Sequence, residues 1–373
     1  MSGSIVLDFA NAQNAVTLPA SRYAAATFTA GIVDPATPFA QLPPDLQGMQ
    51  TRVIYIDPLG NTHNLAGPHG GLEGAQICSQ MFGDQSWPFS QVITNSPYIY
   101  GAQIMRQNIP ERRFNFSILI GSVNKFTEYQ YRVAEDYWWA GQDEANDGWL
   151  GIYTRFSGWR WIPVRPDETV RTPQKMDSTA YGNNMSTWNI TWIAQRPYFT
   201  KVARVRTFTA SAGSYAAAPS GLLSSTPGIA HANYYWGSLP LANAGDLPSY
   251  ASFYVTSPGQ AIVQDNASTR LVPLPDTVAS VGTYMVDTEP GNRTITAAND
   301  PVSNLAFDLI RQSTVLNYFL GGLTSGSTPL QLQFQNRFIY AIPPKTAVTL
   351  TVAHSNPAGS IVAVVPQRYR RSR

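Results

Sequence analysis

Charge is the scarcest property of this chain. Only 13% of its 373 residues are Asp, Glu, Lys or Arg, against roughly 25% in an ordinary soluble domain. So little charge suits a protein that hides much of its surface against partners, although Ser, Thr, Asn and Gln also solvate a surface. The 25 basic and 23 acidic residues leave a net charge of +2, which argues against a dedicated nucleic-acid binder. Lysine is rarer still, at Lys125, Lys175, Lys201 and Lys345 alone, and the arginine excess reads as a GC-rich genome. The single cysteine, Cys78, excludes an intrachain disulfide framework and any Cys-rich zinc site. Long apolar runs are missing as well. Ile361 to Val365 falls far short of the ~20 residues that cross a bilayer, so no membrane insertion is expected. Met1 to Phe9 has no basic n-region and no apolar h-region, which points to synthesis in a reducing cytoplasm. In that setting the Asn-x-Ser/Thr triplets at Asn115, Asn189 and Asn292 are chance matches.

Catalytic equipment is thin too. The histidines are His63, His69, His231 and His354, in loop-like contexts. His63, His69 and Cys78 could be sketched as a metal site, but no pair has the strand or helix spacing that fixes metal geometry. Glu135, Asp136, Asp143, Glu144 and Asp147 lie among Trp138, Trp139 and Trp149, a mixture also found in sugar sites. A glycosidase needs two carboxyls across a cleft, roughly 5 to 9.5 Å apart. Gly141 to Gly148 reads instead as a solvated acidic turn after a helix, where the dipole gives acids no help. Gly67 to Gly71 lacks the Lys-Ser/Thr and the following helix of a phosphate loop. We therefore expect no enzyme, no catalytic residue, no metal and no cofactor.

What is abundant is strand signal, with 43% hydrophobic residues, 12% aromatics, and 28 each of Gly and Pro. Thr51 to Ile56 and Thr62 to Leu65 flank Asp57-Pro58-Leu59-Gly60-Asn61, which predicts a β-hairpin. Arg112 to Ile120 alternates, with Phe114, Phe116, Ile118 and Ile120 on one face. Ser186 to Ile193 does the same, placing Trp188, Ile190 and Trp192 together on an inner face. Leu150 to Arg155 and Trp159 to Val164 make a further pair. One segment, Asn124 to Trp139, has helical spacing, with Asn124 or Ser122 as its cap and a stop at Gly141. Asn304 to Gln312 is a second, shorter helix candidate.

Composition divides the chain. Residues 1–50, with Pro35, Pro38, Pro43 and Pro44, read as an extended arm, expected to lie across a neighbouring subunit. Residues 51–200 read as an N-terminal β-sandwich with one helix, the part expected to form a ring. Residues 201–373 read as a second sandwich, entered through a loop-rich stretch at 211–245 with room for one strand. Its short strands are expected at Ala251–Thr256, Ala261–Val263, Thr269–Leu274, Gly282–Asp287, Arg293–Thr296, Leu330–Ile342, Ala347–Ala353 and Ser360–Val365. The basic tail Arg368 to Arg373 is either solvated or docked on a neighbour's acidic face. The fold class is thus mainly β: two antiparallel β-sandwich domains, the second of galectin-like or jelly-roll type. Trp138, Trp139 and Trp149, beside the acidic turn, are candidate interface residues. So are Tyr234, Tyr235 and Trp236, aromatics read as lying in a loop.

The order of these elements carries a resemblance. An arm, the hairpin from Arg52 to Gly60, an alternating strand, one helix and a tryptophan-rich strand pair close with Trp188 to Tyr198. This resembles the N-terminal half of the distal tail proteins of long, non-contractile-tailed phages (siphoviruses), especially the minor tail protein group of actinobacterial phages. The Pro197-Tyr198 pair matches the end of that half. Asn243-Ala-Gly-Asp-Leu-Pro-Ser-Tyr250, Met285-Val-Asp-Thr288 and Val364-Val-Pro-Gln-Arg-Tyr369 resemble motifs of the family's galectin-like second half. Pro343-Pro344-Lys345-Thr346 departs from the expected Pro-Gly-Asn turn. The resemblance implies a virion protein at the distal end of the tail, assembled in the host cytoplasm. It implies a hexameric ring whose partners are the tail tube protein, the tape measure protein and the tail-tip hub. The alternative is a carbohydrate-binding adhesion module contacting a host cell-surface glycan.

Overall fold

The computed structural model describes residues 15–16, 28–29, 51–95, 102–121, 126–168, 178–179, 184–219, 228–292, 294–297, 299, 330–334 and 336–373. The arm's prolines and the helix candidate Asn304 to Gln312 lie outside these. Within the first fifty residues, β1 (Ala15–Val16) pairs antiparallel with β2 (Phe28–Thr29). The chain forms two compact units: unit 1 is Met1–Lys201 with Arg368–Arg373, and unit 2 is Val202–Gln367. The fold is mainly β, and the strand pairs described here are antiparallel.

Unit 1 begins with the expected hairpin, β3 (Thr51–Ile56) and β4 (Thr62–Ala66). Asp57 fixes its turn by accepting from the Asn61 backbone N–H at 2.7 Å and from Asn61 Nδ2 at 2.9 Å. Gly60 supplies the left-handed residue, at φ +88°. The sheet runs from β4 and β3 through β9 (Gly148–Thr154) to β10 (Gly158–Pro166), which meets β12 (Phe199–Thr209) at Trp161 and Thr200. A second sheet holds β5 (Ala75–Ile77), β8 (Arg112–Ile120) and β11 (Ser186–Ala194). The end of β10, Arg165 and Pro166, pairs with β11 and so forms the corner between the sheets. On β8, Phe114, Phe116, Ile118 and Ile120 are buried, as the alternation requires, and meet Leu150, Ile152, Ile162 and Val164 of the first sheet. Helix α1 (Glu128–Ala140) caps this core with Tyr131, Ala134 and Trp138. It starts later than expected. Its N-cap is Thr127, in a capping box with Gln130, because a hydroxyl three residues before Gln satisfies two open backbone donors at once. It stops at Gly141, where a Cβ would collide with the Asp57 carboxylate. Two further strands, β6 (Ser90–Asn95) and β7 (Ala102–Asn108), form a two-stranded sheet by themselves.

Unit 2 is a sandwich of two sheets around one core. One sheet orders β19 (Ile295–Ala297), β18 (Thr283–Asp287), β15 (Ser252–Thr256) and β21 (Ser360–Tyr369). The other orders β13 (Ser214–Ala217), β14 (Asn233–Asn243), β20 (Thr346–His354), β16 (Ala261–Gln264) and β17 (Leu271–Pro273). Phe253, Val255, Val286 and Ala363 from the first sheet pack with Leu239, Leu241, Val263 and Leu350 from the second. Two expectations are corrected here. Among its described residues the stretch 211–245 holds two strands, β13 and the eleven-residue β14, where one was expected. Leu330 to Ile342 is not a strand. Its buried residues Leu330, Phe334 and Phe338 recur every four positions, so the segment forms α2 (Leu330–Gln333) and then an irregular run along the core.

Candidate assembly surfaces

The six aromatics singled out from the sequence separate into two groups. Trp138 and Tyr234 are fully buried and present nothing to a partner. Trp138 stacks on Trp192 at 6.2 Å, and Tyr234 hydrogen-bonds Gln260 Oε1 through its hydroxyl. Tyr234, Tyr235 and Trp236 lie on β14 and not in a loop, so their side chains alternate between its faces. Trp139, Trp149, Tyr235 and Trp236 are half-buried. Trp139 meets Trp188 edge-on at 4.9 Å, Tyr235 lies against Tyr215 at 4.8 Å, and Trp236 Nε1 donates to Ala216 O at 3.2 Å.

The groups that carry chemistry elsewhere are absorbed into local structure here. His63 is buried with Nε2 3.5 Å from Asp57 Oδ2. Burial pushes the Asp57 carboxyl up, but hydrogen bonds from His63 and Asn61 outweigh it and hold the group below its ordinary value. Asp143 closes the turn after α1 by accepting from Asn146 Nδ2 and the Ala145 N–H, each at 2.7 Å, and these bonds lower its pKa. Asp147 pairs with Arg165 at 2.7 Å, and Glu135 accepts from the Tyr131 hydroxyl at 2.8 Å. Among the described residues no three His, Cys, Asp or Glu side chains gather as metal ligands. Within the same residues no helix is long and apolar enough to cross a membrane.

Two more surfaces stand apart, the first unmarked in the sequence and the second the basic tail already evident there. The first is the β6–β7 hairpin, where Val92, Ile93, Ile104 and Met105 are 48%, 53%, 60% and 67% exposed. Phe82, Phe89 and Ile109, close by in sequence, are exposed as well. Ile93 opposes Ile104 across the register, and a bulge separates Val92 from Ile93. Its apolar residues come in adjacent pairs instead of alternating, so neither the strand nor the helix period marks it.

The second is the basic segment Arg368–Arg373, which docks on unit 1. Buried Arg112 donates through Nη2 to Arg370 O, and Arg160 Nη1 donates to Arg371 O at 2.7 Å. The Ser372 N–H donates to Asp84 O at 3.1 Å and its hydroxyl to Asp84 Oδ2 at 3.2 Å. Tyr369 enters the core beneath Arg160 at 4.2 Å and Lys201 at 5.1 Å. Burial lowers the Arg112 pKa to about 10 against the opposing pull of Asp84, and it remains a cation at neutral pH.

No protein-family model matches this chain, and no curated protein matches its sequence. It is similar to the crystal structure of the SPP1 Dit protein (gp 19.1), described as a paradigm of hub adsorption apparatus in Gram-positive infecting phages. That match has 11% identity and a TM-score of 0.47, covering 85% of this chain and 98% of that one. The chain is also similar to a chain of the phage P2 baseplate in its activated conformation with Ca, at 10% identity and a TM-score of 0.41 over 85% and 98% of the two chains. The corresponding baseplate with Sr gives 9% identity and a TM-score of 0.42 over 85% and 97%.

Proposed function

We propose that this chain is a structural virion protein of a phage tail tip, forming a ring that joins the tail tube to the tail-tip hub and adhesion apparatus. The observation that carries this reading is the β6–β7 hairpin. An isolated two-stranded sheet is marginal in water, and this one exposes four large apolar side chains with no third strand beside it among the described residues. An apolar, charge-poor hairpin of that kind calls for a partner surface. The residue-level resemblance of Arg52 to Tyr369 to distal tail proteins supports the same reading, as does the local, structural use of the carboxylates described above. The sugar-binding alternative wants a concave aromatic cluster in unit 2. There Tyr234 is internal and Tyr215 is tilted 46° against Tyr235.

The test replaces Ile93 and Ile104 with lysine together. The variant should keep the melting behaviour of both units and stop assembling, read by sedimentation velocity and by incorporation into tails. Assembly at the wild-type level would refute the hairpin's role. The resemblance supplies six as the copy number to be counted in a cryo-EM view of the intact tail tip. One or two copies would sink the ring.

A further inference from the structure

We propose that the docked basic segment Arg368–Arg373 builds a cationic surface on unit 1 that receives the acidic helix-and-turn face, residues 128–147, of a second copy of this chain. The inference rests on the ring reading and names the contact between neighbours. Its first support is the concentration of charge. In a chain of net charge +2, Arg160 and Lys201 lie against Tyr369 beside the exposed Arg370, Arg371 and Arg373, with Arg112 and Arg368 buried beneath. Arg373 lies 3.6 Å from Asp84. The segment is held largely through main-chain atoms, Arg370 O, Arg371 O and Ser372 N, so the Arg370 and Arg371 side chains remain exposed.

The second support is a local rule broken elsewhere on the same unit. Residues 128–147 carry Glu128, Glu135, Asp136, Asp143, Glu144 and Asp147, with Arg132 as the one base. Three of these acids follow the C-terminal end of α1, whose last turn holds no basic residue. Acids at that end meet the negative pole of the helix, a cost that an approaching cation removes. Arg165 answers Asp147, while Asp136 and Glu144 are exposed. A ring contact is heterologous and needs two different, complementary patches on one chain. The cationic segment and the acidic face are such a pair.

The test is a charge swap in the full-length chain, read by sedimentation velocity at about 50 mM and about 500 mM salt. Arg370→Glu with Arg371→Glu should weaken self-association more than about tenfold by placing like charges together. Asp136→Arg with Glu144→Arg should do the same, and combining all four should restore association. Wild-type association should fall at the higher salt. If both charge variants assemble normally while the Ile93, Ile104 variant does not, this contact is wrong and the ring reading stands. A wild-type chain that stays monomeric at every concentration and salt overturns both. Failure of the combined variant to recover, with both units melting normally, overturns the pairing. So does a result in which the Arg370, Arg371 variant assembles normally but loses binding to a duplex oligonucleotide that the wild type binds.

Discussion

Trp192 has its ring centroid 4.4 Å from that of Tyr55, 4.9 Å from Phe116 and 6.2 Å from Trp138, and it is fully buried. Its Nε1 donates to Gln142 Oε1 at 3.2 Å, so the indole is satisfied as well as enclosed. Removing it leaves a cavity in the middle of unit 1, and Trp192→Ala should cost about 3 to 5 kcal/mol. Alternation alone gives Trp188 the same standing, since both point to one side of β11. The structure distinguishes them. Trp188 is half-buried, edge-on to Trp139, and donates to Ser186 Oγ at 2.7 Å. Trp188→Ala should therefore cost only about 1 to 2 kcal/mol. Denaturant midpoints of the two variants at equal m-value check this, and equal losses would mean that the core extends to the start of β11. Period gives the side a residue faces. How deep it lies depends on where the opposite layer ends, which no single strand records.

Elements were legible where one period ran unbroken. β8 is read from the sequence to the residue because its buried face, from Phe114 through Phe116 and Ile118 to Ile120, recurs at every second position. β14 is not, because Gly237 and Pro240 interrupt it. Both have a physical place there. A Cβ at 237 would strike the Phe208 ring. Pro240 lies outside the stretch Asn233 to Trp236 that pairs with β13, so its missing N–H removes no bond from that pair. The end of β20 carries a further prediction. His354 is buried, with Nε2 3.0 Å from Thr256 O on β15 and Nδ1 accepting the Asn356 N–H at 3.0 Å, so it ties one sheet of unit 2 to the other. Burial lowers its pKa against the raising effect of those two bonds and of Asp276, with His231 lowering it slightly further. A histidine depressed in the folded state contributes fully above its unfolded pKa of about 6.5 and loses that contribution as pH falls through the folded value. Unit 2 should thus melt at lower temperature as pH drops below about 6.5. Buried Asp265, raised by burial against its Ile339, Tyr340 and Arg270 partners, acts in the opposite sense. His354→Gln should flatten the slope below about pH 6.5. An unchanged slope in scanning calorimetry would assign the effect to another group.

At the scale of the whole molecule the chain leaves unit 1 at Lys201 and returns to it at Arg368, so unit 2 is an insertion. Composition placed a division at 200/201 and assigned everything after it to one domain. It had no means of showing the return, because Arg368–Arg373 has the composition of a solvated tail and is docked largely through its backbone, Tyr369 and the Asp84 contacts of Ser372 and Arg373. Unit 2 has its own core, from Phe208 to Val365. A fragment of residues 202–367 should therefore melt cooperatively by itself. A fragment of residues 1–201 loses Tyr369 from its core and strips buried Arg112 and Asp84 of partners. An unsatisfied buried polar group costs about 1 to 3 kcal/mol, more when charged. That fragment should melt well below unit 1 in the full chain, or without cooperativity. Joining Lys201 to Arg368 through a short flexible Gly/Ser linker should restore it, since Lys201 Nζ already lies 5.1 Å from the Tyr369 ring. Thermal unfolding followed by near-UV circular dichroism separates the outcomes. If 1–201 melts as sharply and as high as the linked chain, Arg368–Arg373 is no part of the unit 1 fold, and the cationic surface it builds there loses its foundation.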